Sequence, residues 1–276
     1  MDWLVYIFYG FVSGLGELVP VSNVAHDYFL RLMTNVQLDQ PLLQLCIHAA
    51  SLGALVMLCW HRGFHVYREM RIAAQPARRR KRQPDLMAVM DGRMVMTMFI
   101  PAVVGVLATG LVQKQFSSLP AVVLFLILSG ILIYVPHYLP GANRDSRHLS
   151  RLEGICFGIC AGFAALPGFS RLGGLLSVGG LRGCSRRYML DIALLLMIPL
   201  LAVMVALDLF ALLTGGIAAI SFVYFMQCLF SAAAAFGGTC LAIAAMRFIS
   251  VNMGYTIFAY YNWGLGIFGF ILYLMI

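Results

Sequence analysis

Residues 158–174 read G-I-C-A-G-F-A-A-L-P-G-F-S-R-L-G-G, within a strongly apolar chain. Arg171 has no acidic residue within ten positions on either side; the nearest are Glu153 and Asp191. Near the start, residues 10–26 read G-F-V-S-G-L-G-E-L-V-P-V-S-N-V-A-H. The two stretches share a pattern. Gly10 and Gly14 stand in G-x-x-x-G spacing and are followed by Pro20 and Ser22; Gly158 and Gly162 repeat the spacing and are followed by Pro167 and Ser170. Small residues at this spacing let helices approach closely in a membrane. Polar, proline-broken backbone at membrane depth is tolerated only against protein or a watery cavity. The pattern recurs half a chain length later, which suggests an internal repeat.

Composition supports a membrane setting. Of 276 residues, 62% are hydrophobic and 11% charged, with a mean hydropathy of +0.89; a soluble domain is about 45–50% apolar and about 25% charged. The fold class expected is all-α, a polytopic membrane protein. Full spans of the length a bilayer requires are expected at 42–60, 93–112, 119–139, 188–213, 219–246 and 253–276. The shorter segments 3–19 and 152–167 are expected as re-entrant helices or broken spans.

The net charge of +8 is unevenly placed: eight of the nineteen Lys and Arg lie between Arg62 and Arg82, with R-R-R-K-R at 78–82. Between apolar segments such a run is a topology signal and a contact for anionic lipid headgroups, so nucleic acid is not an expected partner. Residues 61–92 are expected as a basic cytoplasmic loop. From that anchor 42–60 runs outside to inside, whereas 188–213, which follows the second short segment, runs inside to outside. The repeat is therefore expected to be inverted: one membrane domain, 1–276, made of halves 1–139 and 152–276. Interrupted segments in inverted halves point to a binding site where the halves meet.

Seven cysteines are scattered without a C-x-x-C pair and read as small buried hydrophobes. No cleavable signal is expected, since Asp2 replaces a basic n-region. No G-x-x-x-x-G-K-[ST], H-E-x-x-H or G-x-S-x-G motif occurs, and neither a nucleotide nor a haem cofactor is expected.

Ionisable residues inside membrane segments are functional candidates: Glu17, His26, Asp27, His48, Arg171, Asp191 and Asp208. Glu17, a turn before Pro20, reads as an acid/base or cation-binding carboxylate. A helix begun by Pro20 puts Ser22 and His26 on one face. Arg171 offers a rigid fork suited to phosphate, at a turn whose free backbone N–H groups add anion affinity. It also reads as an ion-pair partner of Glu17. Asp191 and Asp208 read as packing contacts, His48 as a supporting residue, and Tyr255, Tyr260, Tyr261 and Trp263 as a packing or interfacial cluster.

The stretches S-G-L-G-E-L-V-P-V-S-N-V-A-H (13–26) and P-G-F-S-R-L-G (167–173) resemble the two signatures of the bacterial undecaprenyl-pyrophosphate phosphatase family, of the bacitracin-resistance type, E-G-x-T-E-F-L-P-V-S-S-x-G-H and P-G-x-S-R-S-G. S-V-G-G-L-R-G-C-S-R (177–186) resembles a third run. The resemblance implies an inverted-repeat fold in the bacterial inner membrane with a site open to the periplasm, recycling the lipid carrier of cell-wall synthesis. It implies catalytic roles for Glu17 (proton or cation), His26 (nucleophile or base) and Arg171 (phosphate clamp). Ser22, Asn23, Ser170 and Gly168 would complete the phosphate-binding set. It also implies a divalent cation, Mg²⁺ or Ca²⁺, on Glu17, and a polyprenyl pyrophosphate as ligand; a homodimer is the assembly to test. The chain departs from the pattern at Ser13 (a glutamate in the family), Gly16 (threonine), Asn23 (serine), Ala25 (glycine) and Leu172 (serine). A relative that binds or transports polyprenyl phosphate without cleaving it is the alternative.

Overall fold

In the computed structural model, which describes residues 2–34, 40–139, 141, 143–163, 166–215 and 221–275, the apolar runs fold as helices, and no strand occurs among those residues. In chain order they are α1 (Asp2–Glu17), α2 (Asn23–Thr34), α3 (Pro41–Ala74), α4 (Leu86–Val112), α5 (Leu119–Tyr134), α6 (Arg151–Gly162), α7 (Arg171–Leu181), α8 (Arg186–Thr214), α9 (Phe222–Asn252) and α10 (Thr256–Met275). Six segments are long and apolar enough to cross a membrane: α3, α4, α5 with its extension to Tyr138, α8, α9 and α10. They coincide with the six expected spans, although positions 219–220 and 276 of those spans lie outside the described residues, as do 164–165 of the second short segment.

One boundary differs. The expected loop at 61–92 is helical over 61–74 and again over 86–92, leaving 75–85 as the connection, with a 3-10 turn at Ala77–Arg79. Arg, His and Glu mark the end of an apolar run without breaking a helix, and Arg and Glu are good helix formers. The breaks come from Pro76 and Pro84. Glu69 then pins the connection back: its carboxylate takes Arg82 and, at 3.0 Å, the Asp85 amide.

The short helices α1 and α6 pack by their glycines. A Cβ on Gly14 would stand 2.2 Å from the Ala235 carbonyl of α9, and one on Gly158 would stand 2.2 Å from the Met98 carbonyl of α4. Each glycine pair of the opening stretches thus seats its helix against a long helix of the other half. The helix that follows each proline starts on a serine cap. Ser22 Oγ accepts from the Ala25 amide at 3.2 Å, and Ser170 Oγ from the Gly173 amide at 3.0 Å. Such caps satisfy donors that a buried helix start would otherwise leave bare. The core is formed by the middle of α8 with α4, α6 and α7, from Leu190 to Leu201.

Candidate active site

Glu17 ends α1 and Arg171 begins α7, so the two prolines and caps bring them to one place. Arg171 Nη1 donates to Glu17 Oε2 at 3.2 Å, with side chains only 12% and 3% exposed. Asn23 Nδ2 donates to the other carboxylate oxygen, Oε1, at 2.8 Å. His48 of α3 places Nε2 3.6 Å from Glu17 Oε1, while its Nδ1 lies 2.6 Å from Asp208 Oδ2 of α8. A chain of charge therefore runs Arg171–Glu17–His48–Asp208 across four helices.

The chain lines a cavity of about 250 Å³, whose wall also includes Ser13, Asn23, Asp27, Arg31, Tyr9 and Gln44. Asp27 pairs with Arg31, and Gln44 Nε2 donates to the Tyr9 hydroxyl at 2.6 Å. Arg171 Nη1 also touches the Met204 sulfur at 3.0 Å, but its Nε is buried with no partner among the described residues. A buried N–H of a guanidinium left bare is costly.

Of the residues expected at the site, Glu17, Asn23 and Arg171 meet in the cavity wall. Ser22 and Gly168 meet behind it. The Gly168 amide donates to Ser22 Oγ at 2.9 Å, joining the two proline-led loops. Gly168 has φ +98°, and a Cβ there would stand 2.5 Å from the Val122 carbonyl. Ser170 caps α7 and positions Arg171 rather than lining the cavity. His26 stands apart from this group. It does not line the cavity; its Nδ1 meets the Ser22 carbonyl at 2.7 Å and its Nε2 meets the Tyr261 hydroxyl of α10 at 2.6 Å. Asn23 and Asp27, one turn apart, take the cavity face of α2, and His26 is carried round toward α10.

The family profile for "Bacitracin resistance protein BacA" matches residues 6–268. The chain belongs to this family. Similar proteins, each called "Undecaprenyl-diphosphatase", come from Halothermothrix orenii (23% identical, covering 97% of this chain and 96% of that protein), Methanobrevibacter smithii (26%, covering 97% and 96%) and Caulobacter sp. (30%, covering 75% and 76%).

In this BacA-family chain, His48 and Asp208 were legible only as lone polar groups within spans. Asp208 pairs with a residue 160 positions away, and no spacing rule links them. Tyr9, Arg31 and Gln44 left no signal beyond polarity in otherwise apolar runs. The residues do not fit a resident divalent cation. Among the described residues no group of three His, Cys, Asp or Glu could hold one, and both oxygens of Glu17 already face Arg171, Asn23 and His48. Ser13, one turn before Glu17, supplies a neutral hydroxyl to the same wall.

Proposed function

We propose that this protein removes the terminal phosphate of a polyprenyl diphosphate, undecaprenyl diphosphate in a bacterial inner membrane, and so returns the monophosphate carrier to cell-wall polysaccharide synthesis. The observation that carries the reading is the buried Arg171–Glu17 pair in the wall of a polar cavity, in front of the point where the two proline-led loops meet. Membership of the BacA family and the names of its relatives agree with it.

The roles follow from the contacts. The terminal phosphate takes the Arg171 fork through Nε and Nη, drawing the guanidinium off Glu17; at 3.2 Å that contact is already long for a charge-assisted bond. Glu17, released from one partner, accepts a proton from a water aimed at the terminal phosphorus. The water oxygen bonds to that phosphorus, the bridging P–O bond breaks, and the products are orthophosphate and polyprenyl phosphate. Asn23 is an amide and cannot accept a phosphoryl group, but its Nδ2 can follow a phosphate oxygen. Asp208 orients His48, and His48 holds Glu17 from behind. His26 acts as a strut between α2 and α10. No step is routed through a metal ion.

The chain is one membrane domain of two inverted repeats. Exchanging residues 1–139 with 152–276 turns the α1–α9 contact into α6–α4 and the α3–α9 contact into α8–α4, and all four contacts occur. With Arg78–Arg82 held in the cytoplasm, the α3 end carrying Gln44 and His48 lies on the periplasmic side, and the cavity opens there. The exposed basic connection rests on anionic headgroups. The second reading, binding or transport without cleavage, is favoured by Ser13 and Asn23. Release of orthophosphate from farnesyl and undecaprenyl diphosphate by the purified protein, with and without Mg²⁺ or Ca²⁺, separates the two. Release supports hydrolysis; lipid binding that depends on Arg171 without release supports the second.

A further inference from the structure

At the other end of α3, three arginines from three helices converge on a second cavity, of about 430 Å³. Its wall includes Arg62 of α3, Arg187 and Asp191 of α8, and Arg247 of α9. Fourteen residues of α3 separate His48 from Arg62, which is about 20 Å of helix axis. The site is therefore distinct from the Glu17–Arg171 cavity, and it lies on the side of the basic connection.

Donors exceed acceptors here. Asp191 is the only carboxylate in the described wall, and it stands 4.0 Å from Arg62 Nη1, beyond hydrogen-bond length. Arg62 Nη2 donates to Asp91 at 3.0 Å. Arg247 Nη2 reaches the Leu58 carbonyl at 3.3 Å and the Cys59 sulfur at 3.8 Å. Arg187 has neither a hydrogen bond nor an ion pair among the described residues. Each guanidinium carries five N–H donors and no acceptor. The ligand that answers three of them is an anion with several oxygens in a compact head, and a phosphate is the best match.

The remaining wall identifies what the phosphate is attached to. Leu190, Leu194 and Val251 line the same cavity. Cys59 and Leu195 are shared with an adjoining apolar groove of about 860 Å³ between α3, α4 and α8, walled by Trp60, Phe64 and Ile198. A free phosphate makes no use of such a groove, whereas an acyl chain packs into it. We infer that this cavity binds the phosphate headgroup of an anionic membrane lipid, with one chain in the adjoining groove. The site is independent of the hydrolysis proposed for the other end of the molecule.

Native mass spectrometry of the delipidated full chain, titrated with phosphatidylglycerol or phosphatidylcholine, tests it. One phosphatidylglycerol is retained in preference to phosphatidylcholine, and Arg187→Gln weakens it about tenfold, the loss of one charge-assisted contact. Arg187→Gln/Arg247→Gln weakens it further. Both side chains are exposed, so the fold survives their loss. Equal retention of the two lipids, or wild-type retention of phosphatidylglycerol by the double variant, would overturn the site. Displacement of the lipid by millimolar inorganic phosphate would overturn the assignment to a lipid.

Discussion

The Arg171 guanidinium has more donors than the protein uses, since its Nε has no partner among the described residues. Arg171→Lys keeps the charge but loses the fork, so phosphate release should fall about 10²-fold or more, as for removal of a donor aimed at developing charge. Steady-state kinetics on farnesyl diphosphate checks this, with circular dichroism to confirm folding. Asp208→Asn should lower kcat about tenfold at unchanged KM, because it disturbs the orientation of His48 and, through it, Glu17. His48→Ala/Asp208→Asn should be no worse than His48→Ala alone; additive losses would show that the two residues act separately. His26→Ala should keep release within about tenfold, since its ring nitrogens are tied to Ser22 and Tyr261 and not to the cavity. A loss as large as that of Glu17→Gln would restore His26 to the chemistry. Glu17 and Arg171 were legible in the sequence because each sits beside its own proline. The His48–Asp208 pair was not, because long-range contacts between helices leave no local spacing.

Short and long helices in this molecule are fitted to each other backbone against backbone, with glycine at the contacts. Gly158→Val would push a branched side chain into the Met98 carbonyl and should destabilise the fold by about 1–3 kcal/mol, as overpacking does. Gly53 is the control. It lies inside α3, and a Cβ added there would meet nothing within 4 Å, so Gly53→Ala should be neutral or stabilise by about 1 kcal/mol through helix propensity. Thermal unfolding of both variants in one detergent compares them; equal effects would remove the close-packing account. The six spans could be read from hydropathy alone. The ends of α3 and α4 could not, because a helix continues past the bilayer wherever its polar residues are good helix formers, as Arg68 and Glu69 are.

For the whole molecule, the inverted repeat and the sidedness of the two cavities stand together. Arg79→Cys should be labelled only from the cytoplasm and Ser118→Cys, between α4 and α5, only from outside. Labelling of the first from outside would reverse the orientation and close the periplasmic reading of the active-site cavity. The proposed inversion rests on two glycine–proline stretches and the placement of basic residues. The convergence of those stretches on one cavity needed the folded chain, which ties Gly168 to Ser22 and Arg171 to Glu17. The most direct test of the central claim is orthophosphate release from undecaprenyl diphosphate by purified wild-type, Glu17→Gln and Arg171→Ala proteins. Release by the wild type and its loss, by about 10²-fold or more, in both folded variants is the expected result. A folded wild type that binds the lipid through Arg171 and releases no phosphate would contradict it.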